Sequence, residues 1–245
     1  NATLRYMPDM GSILHKFNIK KELVALDPKL HKNGNWDNWV DGTKLLKFDV
    51  VLTNPPFGEN RKFEPKSEQD KQIAELYEMW NIARSGSWID LGIVFLENAY
   101  RVLKPGGRMG IVVSNSIASI DRWEEARKWL LSKMRVVGLF DLPSNIFAET
   151  GVNTTVIVAY KPKDDKELAQ LTESNYEIFV KDIKKIGYEV RTSNRVKYFK
   201  PVYKIDPETF QIEINEQGES LLDEDFTPTI KEFREWCVSQ EEYLK

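Results

Sequence analysis

Four short apolar segments, separated by segments with helical periodicity, dominate the hydrophobic pattern of this chain. The apolar segments are residues 48–52, 109–113, 136–140 and 155–160. Each one is continuous and rich in β-branched residues, which is typical of strands that are covered on both faces. Apolar positions recur at helical spacing in three other segments, at about 69–84, 88–103 and 123–134. This alternation of strands and helices predicts an α/β protein with a mostly parallel sheet.

The last two predicted strands have no helix between them. Only residues 142–153 separate them, and the proline, asparagine and glycine residues there favour a loop. Because a parallel connection needs a longer crossover, we expect an antiparallel pair at the edge of the sheet. Gly106 and Gly107 stand between a predicted helix and the next strand, where a helix C-cap turn is a better interpretation than a phosphate loop.

Length, charge and cysteine content limit the classes of protein to be considered. A chain of 245 residues can form one domain with an appendage, and we place a boundary near Lys163, between residues 1–163 and an α+β appendage at 164–245. The formal net charge is −3, so any nucleic acid must be held by a local basic face or by another subunit. The single cysteine excludes an internal disulfide and suits a reducing cytoplasm. Apolar runs of about five residues are too short to span a membrane, which needs ~20.

Asn54-Pro55-Pro56-Phe57 follows the first predicted strand, at the end where ligands bind in open α/β sheets. The two prolines keep the residues before them out of the helical region, so the segment is a stiff turn. The side-chain oxygen of Asn54 and the carbonyl of Pro55 could converge on one NH₂ group. Hydrogen bonds accepted from both N–H groups of an aryl amine would free its lone pair to attack a methyl sulfonium. Phe57 would offer an aromatic face to a base removed from its stack.

Residues 49–57 resemble the catalytic motif of amino-methyltransferases, (D/N/S)-P-P-(Y/F/W). Further similar elements follow in the same order: residues 103–108 at a helix end, Phe140-Asp141-Leu142-Pro143, Phe147, and the strand at 154–158. This order most resembles the modification subunit of type I restriction–modification systems and related adenine methylases. The resemblance covers residues 45–163 strongly and the rest weakly.

The resemblance implies a class I S-adenosylmethionine-dependent methyltransferase with a Rossmann-like, doubly wound sheet. The implied reaction is transfer of a methyl group from S-adenosylmethionine to the N6 amine of adenine in DNA. A specificity subunit would be a partner, and a restriction subunit a further one. In that family Asn54 and Pro55 would bind the amine, with Pro56 part of the same catalytic motif. Phe57 and Phe147 would stack on the flipped base, although Phe147 is equally well explained as a core residue.

One part of the family pattern is missing from this sequence. The family holds its cofactor with a glycine-rich loop of the D-P-x-C-G-x-G kind, but no two glycines here are separated by a single residue. Asp27-Pro28 is not followed by a glycine turn, and the residue that binds the cofactor ribose cannot be assigned. We therefore expect the cofactor half to lie before residue 1. On this hypothesis, residues 1–245 alone bind S-adenosylmethionine poorly and do not turn over.

Other functions remain open at this point. RNA guanine and protein glutamine amino-methyltransferases use similar motifs, although tyrosine is usual at the position of Phe57 in the glutamine enzymes. A catalytically silent subunit that binds DNA or a partner is a third interpretation. A metal site is not expected, because His15, His31 and Cys237 do not have the spacing of ligands.

The segment after the predicted strands changes sharply in charge. Residues 181–204 contain eight lysines and arginines against two carboxylates, whereas residues 206–225 contain eight carboxylates and no lysine or arginine. The basic stretch, with Tyr188, Tyr198 and Tyr203, could contact DNA phosphates. A solvated charged face is the more economical interpretation.

Overall fold

The structure is a computed structural model that describes residues 47–56, 62–147 and 151–240. In these residues the strands are β1 (Phe48–Thr53), β2 (Lys62–Phe63), β3 (Ile89–Asp90), β4 (Leu103–Ser114), β5 (Arg135–Leu142), β6 (Thr154–Tyr160), β7 (Phe179–Asp182), β8 (Tyr188–Ser193) and β9 (Val196–Pro201). The helices are α1 (Glu68–Glu75), α2 (Glu78–Ala83), α3 (Leu91–Val102), α4 (Asn115–Ser119), α5 (Glu124–Lys133), α6 (Asp165–Glu173) and α7 (Phe226–Ser239), with a 3-10 turn at Asp121–Trp123.

Five strands form the central sheet in the order β1-β4-β6-β5-β7. β1 runs parallel to β4, and β5 runs parallel to β7. β2 with β3, and β8 with β9, form separate antiparallel pairs. All four strands expected from the apolar segments are present, and the predicted α/β class with a mostly parallel sheet is confirmed.

The antiparallel strand is present as expected, but β6 lies between β4 and β5 and not at the edge of the sheet. The N–H of Gly106 donates to the carbonyl of Lys161, and the N–H of Lys161 donates to the carbonyl of Gly107, both at 2.9 Å. The end of β6 therefore lies beside the start of β4. β6 is mostly buried, and an apolar strand with both faces covered is better satisfied inside a sheet than at its edge. The edge position beside β5 belongs to β7.

The helix predicted at 69–84 is two helices, α1 and α2, with a break at Leu76 and Tyr77. Tyr77 is extended (φ −91°, ψ 128°) and almost fully buried. The carboxylate of Glu97, from α3, accepts hydrogen bonds from the backbone N–H groups of Glu78 (3.1 Å) and Met79 (2.9 Å). Because these donors begin α2 and would otherwise lack partners, a distant side chain sets the start of the second helix.

Gly106 and Gly107 lie inside β4, so the expected C-cap turn is not found there. α3 ends at Val102, and Leu103 is already extended (φ −76°, ψ 139°). Between the pairs Phe48–Leu103 and Val50–Arg108 the register of β1 and β4 shifts. The two glycines belong to this irregular part of the strand, where Gly106 has φ +78°, a conformation that favours glycine.

Contact density divides the chain into two compact units. The first comprises the described residues up to Val136 together with 157–176, and the second comprises 137–156 and the residues from Glu177 onward. The second unit contains a buried cluster of Leu142, Ile183 and Ile186. It also contains an aromatic cluster in which Phe140, Phe179, Phe233 and Trp236 are in ring contact. The boundary near Lys163 stays a prediction.

Within residues 47–56, 62–147 and 151–240, no helix is long and apolar enough to cross a membrane. In the same ranges no three histidine, cysteine, aspartate or glutamate side chains are grouped as metal ligands would be. His15 and His31 lie outside the described residues.

Candidate active site

Asn54 immediately follows β1, at the carboxyl end of a parallel strand pair. Thr53, the last residue of β1, lies opposite Ile111 of β4. Asn54 and Pro56 are exposed, whereas Pro55 between them is buried. The buried proline ring anchors the turn and leaves the amide of Asn54 accessible to a substrate. Phe57 lies outside the described residues.

The end of β4 brings hydroxyl groups to the same edge of the sheet. β4 extends three residues past Ile111, to Ser114, and α4 begins at the next residue. The buried hydroxyl of Ser114 lies 3.0 Å from that of Ser116. These serines were not predicted as site residues, although the Ser-Asn-Ser sequence after an apolar strand was a signal for them.

The start of α3 lies beside the side chain of Ile117 in α4. Asp90 is 2% exposed, and its Oδ1 accepts a hydrogen bond of 2.8 Å from the N–H of Gly92, which caps α3. A Cβ atom on Gly92 would lie only 2.9 Å from Cδ1 of Ile117. A side chain at position 92 would therefore displace the end of the Ile117 side chain.

Phe147 lies in the second unit, half-buried in the loop after β5. The backbone of the preceding residue, Ile146, is fixed from two sides. Its N–H donates to the carbonyl of Pro143 (3.1 Å), and its carbonyl accepts a hydrogen bond from the hydroxyl of Tyr188 (2.7 Å). Burial raises the pKa of Tyr188, which keeps the hydroxyl a donor. Tyr188, one of the tyrosines considered for phosphate contact, thus holds the loop that carries Phe147.

A strongly shifted titratable group lies away from Asn54. The ammonium of Lys161 donates to the carbonyls of Tyr100 (2.9 Å) and Leu103 (3.0 Å) and lies 4.0 Å from the ring centroid of Tyr100. Burial, and then the charge of Lys47, lower the pKa of Lys161 to about 8. This lysine joins the end of β6 to the end of α3, beside the start of β4. Its hydrogen bonds link these elements through the backbone carbonyls of Tyr100 and Leu103.

A model of the N-6 DNA methylase family matches residues 1–241 of the chain. The chain belongs to the N-6 DNA methylase family. S-adenosylmethionine is accordingly its expected cofactor.

Methylase subunits of type I restriction enzymes are among the similar proteins. The MpnII methylase subunit of Mycoplasma pneumoniae is 26% identical over 170 residues, which are 68% of this chain and 30% of that protein. The EcoKI methylase subunit of Escherichia coli is 28% identical over 132 residues, 51% of this chain and 22% of that protein. The crystal structure of the EcoKI M protein gives a TM-score of 0.36 at 22% identity and covers 60% of this chain and 30% of that one. The chain therefore spans less than a third of the length of these relatives.

The described part of this N-6 DNA methylase presents Asn54 as an exposed hydrogen-bond acceptor at the carboxyl end of β1.

Proposed function

We propose that this N-6 DNA methylase transfers a methyl group from S-adenosylmethionine to the N6 amine of adenine in DNA. The observation that carries the proposal is the exposed amide of Asn54, which follows a parallel strand and is anchored by buried Pro55. Ligands of open α/β sheets bind at this edge. The family assignment supports the choice of DNA as substrate.

In the proposed mechanism the chain activates the amine and the cofactor supplies an electrophilic methyl group. The side-chain oxygen of Asn54 and the carbonyl oxygen of Pro55 accept hydrogen bonds from the two N–H groups of the amine. These two bonds orient the nitrogen and reduce the delocalisation of its lone pair into the ring. Phe57 and Phe147 are the proposed stacking residues, which would stabilise adenine outside the duplex.

We further propose that the protein acts as the modification subunit of a restriction–modification system. Two relatives carry the name of type I restriction enzyme methylase subunits, which supports a role as one subunit of an assembly. The net charge of −3 means that the whole-molecule field does not attract DNA. A specificity subunit would supply both sequence recognition and further DNA contacts, with a restriction subunit as a further partner.

The test is transfer of labelled methyl groups to unmethylated DNA by the full-length protein, with and without its neighbouring subunit. Asn54→Ala is expected to lower the rate by about 10²–10³-fold, because a preorganised polar contact to the reacting group is lost. Asn54→Asp keeps an acceptor oxygen and should retain more activity than Asn54→Ala. Asn175→Ala, at an exposed asparagine elsewhere, is the matched control.

The same assay, run with DNA, RNA and protein as methyl acceptors, distinguishes the proposed function from the other functions considered. Label on adenine of DNA supports the proposal, whereas label on RNA or protein with none on DNA contradicts it. No transfer to any substrate by a protein that binds S-adenosylmethionine would favour a silent scaffold. Near-normal rates for Asn54→Ala would mean that the amine is activated in another way.

A further inference from the structure

The β8–β9 hairpin is a two-stranded ribbon that stands apart from the central sheet. Its strands pair from Tyr188 with Pro201 to Ser193 with Val196, which leaves only Asn194 and Arg195 in the turn. Every residue of β9 is exposed. An antiparallel ribbon of two strands has a width that the major groove of duplex DNA admits.

The turn of this hairpin contains an arginine in an unfavourable backbone conformation. Asn194 has φ 50° and Arg195 has φ 65°, as in the type I′ turn that favours Asn-Gly. Asparagine suits its position, but a long side chain at the second position is disfavoured where glycine is preferred. Backbone strain of this kind often persists where the side chain has a function. Among the residues that the structure describes, no carboxylate forms an ion pair with Arg195.

The hairpin concentrates positive charge on a chain that is negative overall. Its cations are Arg191, Arg195, Lys197 and Lys200. Glu189 is its single carboxylate and contacts Arg191 (2.7 Å) and Lys200 (3.8 Å). An excess of three positive charges therefore remains between residues 188 and 201.

Exposed aromatic rings accompany these charges. Tyr198 is 47% exposed and Phe199 is 53% exposed, and as successive residues of β9 they point to opposite faces of the ribbon. Cations mixed with accessible aromatic groups are typical of surfaces that bind nucleic acid. The neighbouring acidic stretch, residues 206–225, contains only carboxylates as charged groups, and two of them pair with Lys204 and Lys185. The acidic stretch therefore pairs with lysines on either side of the hairpin, at positions 185 and 204.

We propose that the β8–β9 hairpin binds duplex DNA through its phosphates, with Arg195 at the tip as a principal contact. This inference rests on the proposed function, since it takes DNA as the substrate, but it assigns a surface separate from the amine-binding turn at Asn54. The hairpin contributes affinity that depends on salt. Sequence recognition and chemistry remain with other parts of the assembly.

The test is binding of the full-length protein to fluorescein-labelled duplex DNA, measured by fluorescence anisotropy over a series of salt concentrations. The variant Arg195→Gly/Lys197→Gln removes two hairpin cations. If both contact phosphates, the slope of log K against log[salt] decreases in magnitude by about 1.8. The matched control, Lys231→Gln/Arg234→Gln, removes two exposed cations from α7 in the same unit and should leave the slope unchanged.

A second measurement distinguishes the loss of a DNA contact from misfolding of the variant. Glycine suits the backbone of position 195, so the single variant Arg195→Gly should unfold at a temperature no lower than the parent protein while binding DNA more weakly. In the methyl-transfer assay the Arg195→Gly variant should show a higher KM for DNA than the parent protein. An unchanged salt slope, or an equal loss in the α7 control, would overturn the inference, as would tighter binding to duplex RNA of the same sequence. DNA binding that depends on the hairpin, without any methyl transfer, would contradict the proposed function but would still support this inference.

Discussion

At the scale of single residues, the buried carboxylate of Glu97 organises one corner of the first unit. It is fully buried, and it accepts hydrogen bonds from the backbone of Glu78 and Met79. It also forms an ion pair with Arg101, at 2.7 Å, one helical turn along α3. Arg101 in turn donates to the carbonyl of Leu76 at 3.1 Å. One carboxylate therefore satisfies the start of α2 and fixes the residues where α1 ends.

Replacement of Glu97 should be among the more damaging single changes in the first unit. Glu97→Ala leaves a largely buried guanidinium and two N–H groups without their acceptor. Breaking a buried pair in this way costs ~3–5 kcal/mol, and urea unfolding measured by circular dichroism should show this loss. Glu173→Ala, at the exposed end of α6, is the control, and a surface change of this kind stays within about 0.5 kcal/mol. Equal midpoints for the two variants would show that Glu97 does not hold the helices.

At the scale of elements, the irregular start of β4 depends on a glycine that has no room for a side chain. A Cβ atom on Gly107 would lie 2.9 Å from the carbonyl oxygen of Lys104 and 3.0 Å from that of Asp49. Both neighbours are backbone atoms, so neither can move without shifting a strand. The close approach of β1 and β4, which places Asn54 at the sheet edge, therefore requires glycine here.

Gly107→Ala is expected to destabilise the protein by ~1–3 kcal/mol, because it forces extra volume between two packed strands. The comparison is Gly151→Ala, at a described glycine with nothing within 4 Å of an added Cβ. Thermal unfolding of the two variants measures the difference. A Gly107→Ala protein as stable as Gly151→Ala would mean that β1 and β4 separate freely at this point.

The apolar pattern of the sequence predicted some of these strands and helices and missed other features of the fold. It located the four main strands, because continuous β-branched runs favour strands. The expected cover on both faces is not found for β1, in which Val50 and Leu52 are exposed. The pattern could not locate the break between α1 and α2, since that break depends on Glu97, eighteen or more residues away. Nor could it place β6 inside the sheet, because strand order is a property of the assembled sheet and not of local periodicity.

At the scale of the whole molecule, the charge pattern became interpretable only with the structure. Composition had suggested a solvated face for the basic stretch, and two of its lysines are paired with the acidic stretch that follows, Lys185 with Asp223 and Lys204 with Glu213. What the composition could not show is that four of its other cations lie on one ribbon. Likewise, Asn54 could be chosen from the proline motif, whereas the hydrogen bond from Tyr188 to Ile146, which holds the loop of Phe147, joins residues 42 positions apart.

Residues 1–245 are predicted to have a low affinity for the cofactor S-adenosylmethionine. No two glycines in the chain are separated by one residue, and α4 begins at Asn115 directly after β4, with no glycine at that junction. A turn without glycine keeps backbone N–H groups at a distance from a nucleoside ligand. Calorimetric titration of residues 1–245 with S-adenosylmethionine should therefore show little or no binding. Micromolar affinity of residues 1–245 would contradict this and would place a complete cofactor site within these residues, built without the family's glycine-rich loop.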